Sequence, residues 1–108
     1  MTKKNGLNTE ILDTGMTLQT HYKNGLKDGS ETYYYANGQK ASEGFYTDNK
    51  LEGSLTYWYE NGQKQYEANY EDGLLDGLSV TWRENGSKKK EEVYKHGFCW
   101  NRTNHVEG

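Results

Sequence analysis

The stretch YYYANGQKASEGFY, residues 33–46, returns at residues 57–70 as YWYENGQKQYEANY, displaced by 24 positions. The aromatic triplet, the Asn-Gly-Gln-Lys run and the closing tyrosine are all retained. Asn-Gly between β-prone segments is the strongest short-range hairpin signal, because a type I′ turn needs positive φ at both central residues. Working outward, the same period organises most of the chain. Asn37-Gly38, Asn61-Gly62 and Asn85-Gly86 form one series, and Gly29, Gly53 and Gly77 a second. Tyr22, Tyr46, Tyr70 and Tyr94 form a third, and Tyr34, Trp58 and Trp82 a fourth. A further turn-like pair recurs as Asn24-Gly25, Asp48-Asn49, Asp72-Gly73 and His96-Gly97.

Reading every such pair as a two-residue turn divides the chain into about eight strands of ordinary length. No proline interrupts a ladder, and no segment keeps a helical period. The expectation is an all-β fold: an antiparallel meander of 24-residue hairpins in one open, twisted, single-layer sheet. The alternative is the same meander closed into a small up-and-down barrel. Residues 1–15 read as a tail or degenerate cap, 16–100 as the repeat domain, and 101–108 as a C-terminal tail. Open edges are expected near residues 16–22 and 98–103, where strand addition could make a homodimer.

Two-residue turns fix the register and hence the faces. Tyr35 is expected opposite Lys40, Tyr33 opposite Ser42, and Gly29 opposite Tyr46. The next hairpin pairs Tyr59 with Lys64, Tyr57 with Tyr66, and Gly53 with Tyr70. Tyr46, Tyr70 and Tyr94 then meet Leu51, Leu75 and Cys99 on the same side, termed face A, which reads as the packed side. Each repeat glycine would lie under a tyrosine ring, so Gly53→Val is expected to clash with Tyr70. Face B carries Ser30, Thr32, Glu43, Ser54, Thr56 and Glu67, but also the column Tyr34, Trp58 and Trp82. That column reads either as a partner-binding strip or as rings buried by curvature.

Composition limits the rest. Only 31% of the 108 residues are hydrophobic, which is too little to fill a thick aliphatic core. Ten tyrosines and three tryptophans compensate, because each ring buries much area. The net charge of −3 gives no global basic field for nucleic acid, and Lys88, Lys89 and Lys90 are balanced by Glu91 and Glu92. A single cysteine, Cys99, excludes an internal disulfide and fits a reducing compartment, so cytoplasmic localisation is expected. No apolar run suits a signal peptide or a stable membrane insertion.

The chain shows no catalytic grouping. His96, Cys99 and His105 lack the fourth ligand a structural zinc site wants, so no metal or other cofactor is expected. Cys99 has no base placed by spacing, and the glycines belong to turns rather than a phosphate loop. Asp28, Glu52 and Asp76 recur one residue before each repeat glycine and read as solvating groups for face B.

The pattern in GSLTYWYENGQKQYEANYEDG resembles the MORN-variant repeat of bacterial YwqK-like antitoxin proteins. The resemblance covers about residues 16–100, with Asp13-Thr14 and Asn101 marking degenerate ends and Arg83 replacing the third aromatic. It implies an elongated sheet that binds a protein partner, with a toxin as that partner, and it carries no catalytic residues. A carbohydrate-binding aromatic repeat and a structural or membrane-peripheral scaffold are the alternatives.

Overall fold

The computed structural model describes residues 4–106, so positions 1–3 and 107–108 of the two expected tails lie outside the described residues. It contains β1 (Gly6–Ile11), β2 (Thr17–Lys23), β3 (Leu26–Tyr34), β4 (Lys40–Thr47) and β5 (Lys50–Trp58). These are followed by β6 (Lys64–Glu71), β7 (Leu74–Leu75), β8 (Gly77–Trp82), β9 (Lys88–Lys95) and β10 (Phe98–Asn104). All pair antiparallel with their sequence neighbours in one sheet, and β7 and β8 are two parts of one strand alongside β6. The path from β1 to β10 does not close, so the sheet is the open meander and not the barrel. Its extents of 56 × 34 × 16 Å are those of a single twisted layer.

Two features raise the strand count above eight. Residues 6–11 pair with β2 over six consecutive positions, which places β1 outside β2. One edge is therefore β1, not residues 16–22 as the spacing suggested. The strand after Asp72-Gly73 breaks at Asp76, giving β7 and β8.

The turn chemistry is distributed differently from the expectation. Asn24-Gly25, Asp48-Asn49, Asp72-Gly73 and His96-Gly97 have positive φ at both residues, from 48° to 86°, and are the type I′ turns. At Asn37-Gly38 only the glycine is left-handed, with φ 89°. There the Gly38 N–H donates to Tyr35 O at 2.9 Å and the Tyr35 N–H donates to Gln39 O at 2.8 Å. That is a three-residue loop: a type I turn closed by a left-handed glycine. The same bonds recur at Tyr59–Gln63, Arg83–Ser87 and, in the degenerate first copy, Leu12–Met16. The asparagine earns its place by another route, since Asn37 Oδ1 accepts the Gln39 N–H at 2.9 Å. Asn61 and Asn85 do the same for Gln63 and Ser87.

The longer loop shifts the register only near the turn. Tyr33 lies opposite Ser42, Gly29 opposite Tyr46, Tyr57 opposite Tyr66 and Gly53 opposite Tyr70, as the repeat predicts. A bulge then pairs Tyr34 with Lys40 and Trp58 with Lys64. Tyr35 and Tyr59 consequently pair with Gln39 and Gln63, not with Lys40 and Lys64.

The repeat glycines are also corrected. Gly29, Gly53 and Gly77 have φ of 110°, 89° and 91°, and the β2–β3 and β4–β5 ladders slip beside Gly29 and Gly53. A Cβ built on Gly53 would meet nothing within 4 Å, so no clash with Tyr70 exists. Glycine is needed there because the backbone is left-handed, not because a ring covers it. Gly44 is the glycine held by space: a Cβ would stand 2.9 Å from Leu55 Cδ1 and 3.2 Å from Leu51 Cδ2.

With one layer, the buried residues are small and lie on both faces. Across face A a transverse row runs Thr20, Glu31, Gly44, Leu55, Ala68, and farther along pairs Ser79, Glu92 and Arg102. Ala68 at the centre is fully buried. Thr32, Thr56 and Val80 are buried on face B, so packing is not confined to face A.

Candidate functional site

The column Tyr34, Trp58 and Trp82 closes β3, β5 and β8 on face B. Each ring residue lies opposite a lysine: Tyr34 opposite Lys40, Trp58 opposite Lys64, Trp82 opposite Lys88. Each lysine in turn holds a glutamate on its own strand. Lys40 reaches Glu43 at 3.1 Å, Lys64 reaches Glu67 at 2.8 Å, and Lys88 reaches Glu91 at 3.4 Å. Lys64 Nζ also stands 5.9 Å from the centre of the Trp82 ring, so the ammonium bridges one repeat to the next. All three rings are half-buried, which satisfies neither simple expectation: they are neither sealed in nor free-standing.

The strand ends that carry these rings are tied across repeats. The Tyr35 hydroxyl donates to Trp58 O, and the Tyr59 hydroxyl donates to Trp82 O at 2.7 Å. Arg83 occupies the same place in the third repeat and donates to His105 O. The apparent departure from the aromatic pattern thus keeps the bond while changing the donor. An open depression of about 340 Å³ between Gln39, Lys40, Trp58 and Gly62 gives access to the middle ring. A second, of about 440 Å³, lies beside the loops between Tyr35, Tyr59, Glu60, Asn61 and Glu84.

Other residues singled out by the repeat have structural tasks. Glu52 Oε1 accepts the Asp72 N–H at 2.7 Å, and Asp76 Oδ1 accepts the His96 N–H at 3.3 Å. At Glu52 and Asp76 the recurrent acid therefore caps the next type I′ turn, where solvation of face B was expected. Asn37, Gly38, Asn61, Gly62, Asn85 and Gly86 build the loops, and Tyr46 and Tyr70 have hydroxyls pushed up by burial on face A. Phe45 and Val93 lie away from the column, opposite Ser30 and Leu78 toward the type I′ end.

The strongest electrostatic knot is at Glu92, which is 5% exposed on face A. Arg102 Nε donates to its carboxylate at 2.8 Å and the Tyr94 hydroxyl at 3.1 Å, with Lys90 Nζ at 3.5 Å. Burial pushes the carboxyl up, but Arg102, Tyr94 and Lys90 outweigh it and hold it below the ordinary glutamate range. His96, Cys99 and His105 are kept apart: His96 in a turn, Cys99 beside Glu92, and His105 Nε2 3.0 Å from Glu91. Among the described residues no group of three or more His, Cys, Asp or Glu side chains is placed to hold a metal ion. Nor is any described helix long and apolar enough to cross a membrane.

The signal for this site was partly present in the sequence. Lys40, Lys64, Lys88 and Glu43, Glu67, Glu91 recur with the same 24-residue period as the rings. What periodicity alone did not reveal is that the loop bulge brings each lysine opposite a ring.

Compared with known protein families, residues 27–48 and 51–72 match the family described as MORN repeat variant. Two adjacent repeats thus carry the family pattern, and MORN repeats are generally binding repeats for proteins or membranes. The comparison with curated proteins gives no match.

Proposed function

We propose that the chain is a non-catalytic protein-binding module whose partner is a toxin, which it neutralises by direct contact in the bacterial cytoplasm. The observation that carries this reading is the column Tyr34, Trp58 and Trp82, repeated on face B at the loop ends of β3, β5 and β8. Its rings are half-exposed and stand one strand pair apart at roughly 10 Å, and the backbone carbonyls of Trp58 and Trp82 accept inter-repeat hydrogen bonds. Rigid, amphipathic rings dominate binding hot spots because they offer area at low entropic cost. The flanking lysines are already neutralised by Glu43, Glu67 and Glu91, so the strip presents aromatic surface with local charge balance. Such a surface suits a protein better than a polyanion.

The test is capture from the native host followed by co-expression. The expected result is one stoichiometric partner whose expression alone arrests growth, with growth restored by the wild-type chain and not by Trp58→Ala/Trp82→Ala. A captured partner that is harmless when expressed alone removes the toxin from the proposal. Equal capture by the double variant removes the column.

A further inference from the structure

The two edges of the sheet are built differently. At β10 the ladder slips between Cys99 and Asn101, leaving Trp100 as an extra residue, and Arg102 turns back onto Glu92. A bulge on an edge strand is a standard obstacle to further pairing. At β1, by contrast, six consecutive residues pair with β2 without a bulge, and Leu7 and Ile11 are 55% and 78% exposed.

The backbone of β1 shows what it offers. The Leu12 N–H donates to Met16 O at the loop, so Leu12 and Met16 are a hydrogen-bonded pair. Antiparallel ladders alternate, which makes Glu10 with Leu18 and Asn8 with Thr20 the next bonded pairs. The N–H and C=O groups of Leu7, Thr9 and Ile11 therefore point away from β2. Among the described residues no strand pairs with that side.

We propose that the protein pairs with a second copy of itself through β1, about a two-fold axis at Thr9, and so continues the sheet across both chains. An antiparallel register centred on Thr9 sets Thr9 against the partner's Thr9 and Leu7 against the partner's Ile11. All the outward backbone groups are then matched, and the apolar side chains meet on one face as cross-strand pairs. The same register carries exposed Lys4 to the end where the partner's Asp13 lies, and sets Glu10 against the partner's Asn8 rather than against another acid. Strand direction and the bulge in β10 together restrict the product to a dimer. β1 and β10 stand eight steps apart along an antiparallel path and run in the same direction. Joining β10 of one copy to β1 of the next with the same face up would need a parallel pair, and in either orientation the bulge in β10 opposes it, whereas β1 with β1 is antiparallel and closed. The pairing is independent of what face B binds.

The experiment is sedimentation velocity across micromolar concentrations, with Thr9→Pro and Leu7→Lys/Ile11→Lys variants. Proline at position 9 removes an outward N–H that the β1–β2 ladder does not use. The lysine pair sets like charges against each other across the axis at exposed sites. The wild type is expected at twice the 12.5 kDa chain mass, and both variants at the single mass with unchanged far-ultraviolet circular dichroism. Amides of Leu7 and Ile11 should exchange slowly in the wild type and rapidly in Thr9→Pro. A monomeric wild type, a species larger than a dimer, or a dimer surviving in the folded lysine variant overturns the inference.

Discussion

Gly53 and Gly44 separate two reasons for a strand glycine. A Cβ at Gly53 has open space but sits on a backbone with φ 89°, whereas one at Gly44 would press on the tips of Leu55 and Leu51. Left-handed backbone costs an L-residue about 1–2 kcal/mol, while leucine tips can move. Gly53→Ala should therefore lower stability by about that amount and Gly44→Ala by less, measured by urea unfolding. The roomier site is the costlier one. His96 supplies the converse, because it holds φ 48° at a turn position that asparagine fills in Asn24-Gly25. His96→Asn should raise the melting temperature, since asparagine tolerates the left-handed region better. Glu92 sets the acid behaviour. Its folded pKa lies below the unfolded value of about 4.3, so its contribution is present above that pH and lost as pH falls through the folded value. Glu91, lowered first by its bond to His105, acts with the same sign. Thermal melts from about pH 6 to pH 3 should fall steeply in the wild type and less steeply in Glu92→Gln.

Hairpins are the element at which sequence and structure agree most. The 24-residue period and the bodies of the ladders, such as Tyr33 opposite Ser42 and Gly53 opposite Tyr70, follow from turn spacing alone. What spacing could not distinguish is a two-residue from a three-residue loop, because Asn-Gly serves both. The difference is one residue, yet it moves Tyr35 from Lys40 to Gln39 and puts Lys40 against Tyr34. The candidate site was thus legible as a column of rings but not as a ring-and-lysine ladder. The inter-repeat bonds of Tyr35, Tyr59 and Arg83 were equally hidden, since nothing in a hairpin pattern says what reaches the next hairpin. Tyr59→Phe should test their weight. Loss of its bond to Trp82 O is expected to cost about 0.5–1.5 kcal/mol, with the fold retained by circular dichroism.

At the scale of the molecule, a layer 16 Å thick has no interior of the usual kind. Stability is distributed along the repeats, each contacting its neighbours, as in other quasi-one-dimensional arrays. Both faces consequently remain available, and the sequence differentiates them by what it places between the small buried residues. Face A shows tyrosines around Leu51 and Leu55, with Tyr57 43% exposed. Face B shows Tyr34, Trp58 and Trp82 with their lysines. The assignment of binding to face B is tested most directly by titrating the captured partner against two folded variants. Trp58→Ala/Trp82→Ala should weaken binding by 2 kcal/mol or more, about thirtyfold, as loss of a hot spot does. Tyr57→Ala on face A should leave the dissociation constant unchanged. Loss of affinity in Tyr57→Ala with full binding by the tryptophan variant would contradict the assignment and place the partner on the opposite face.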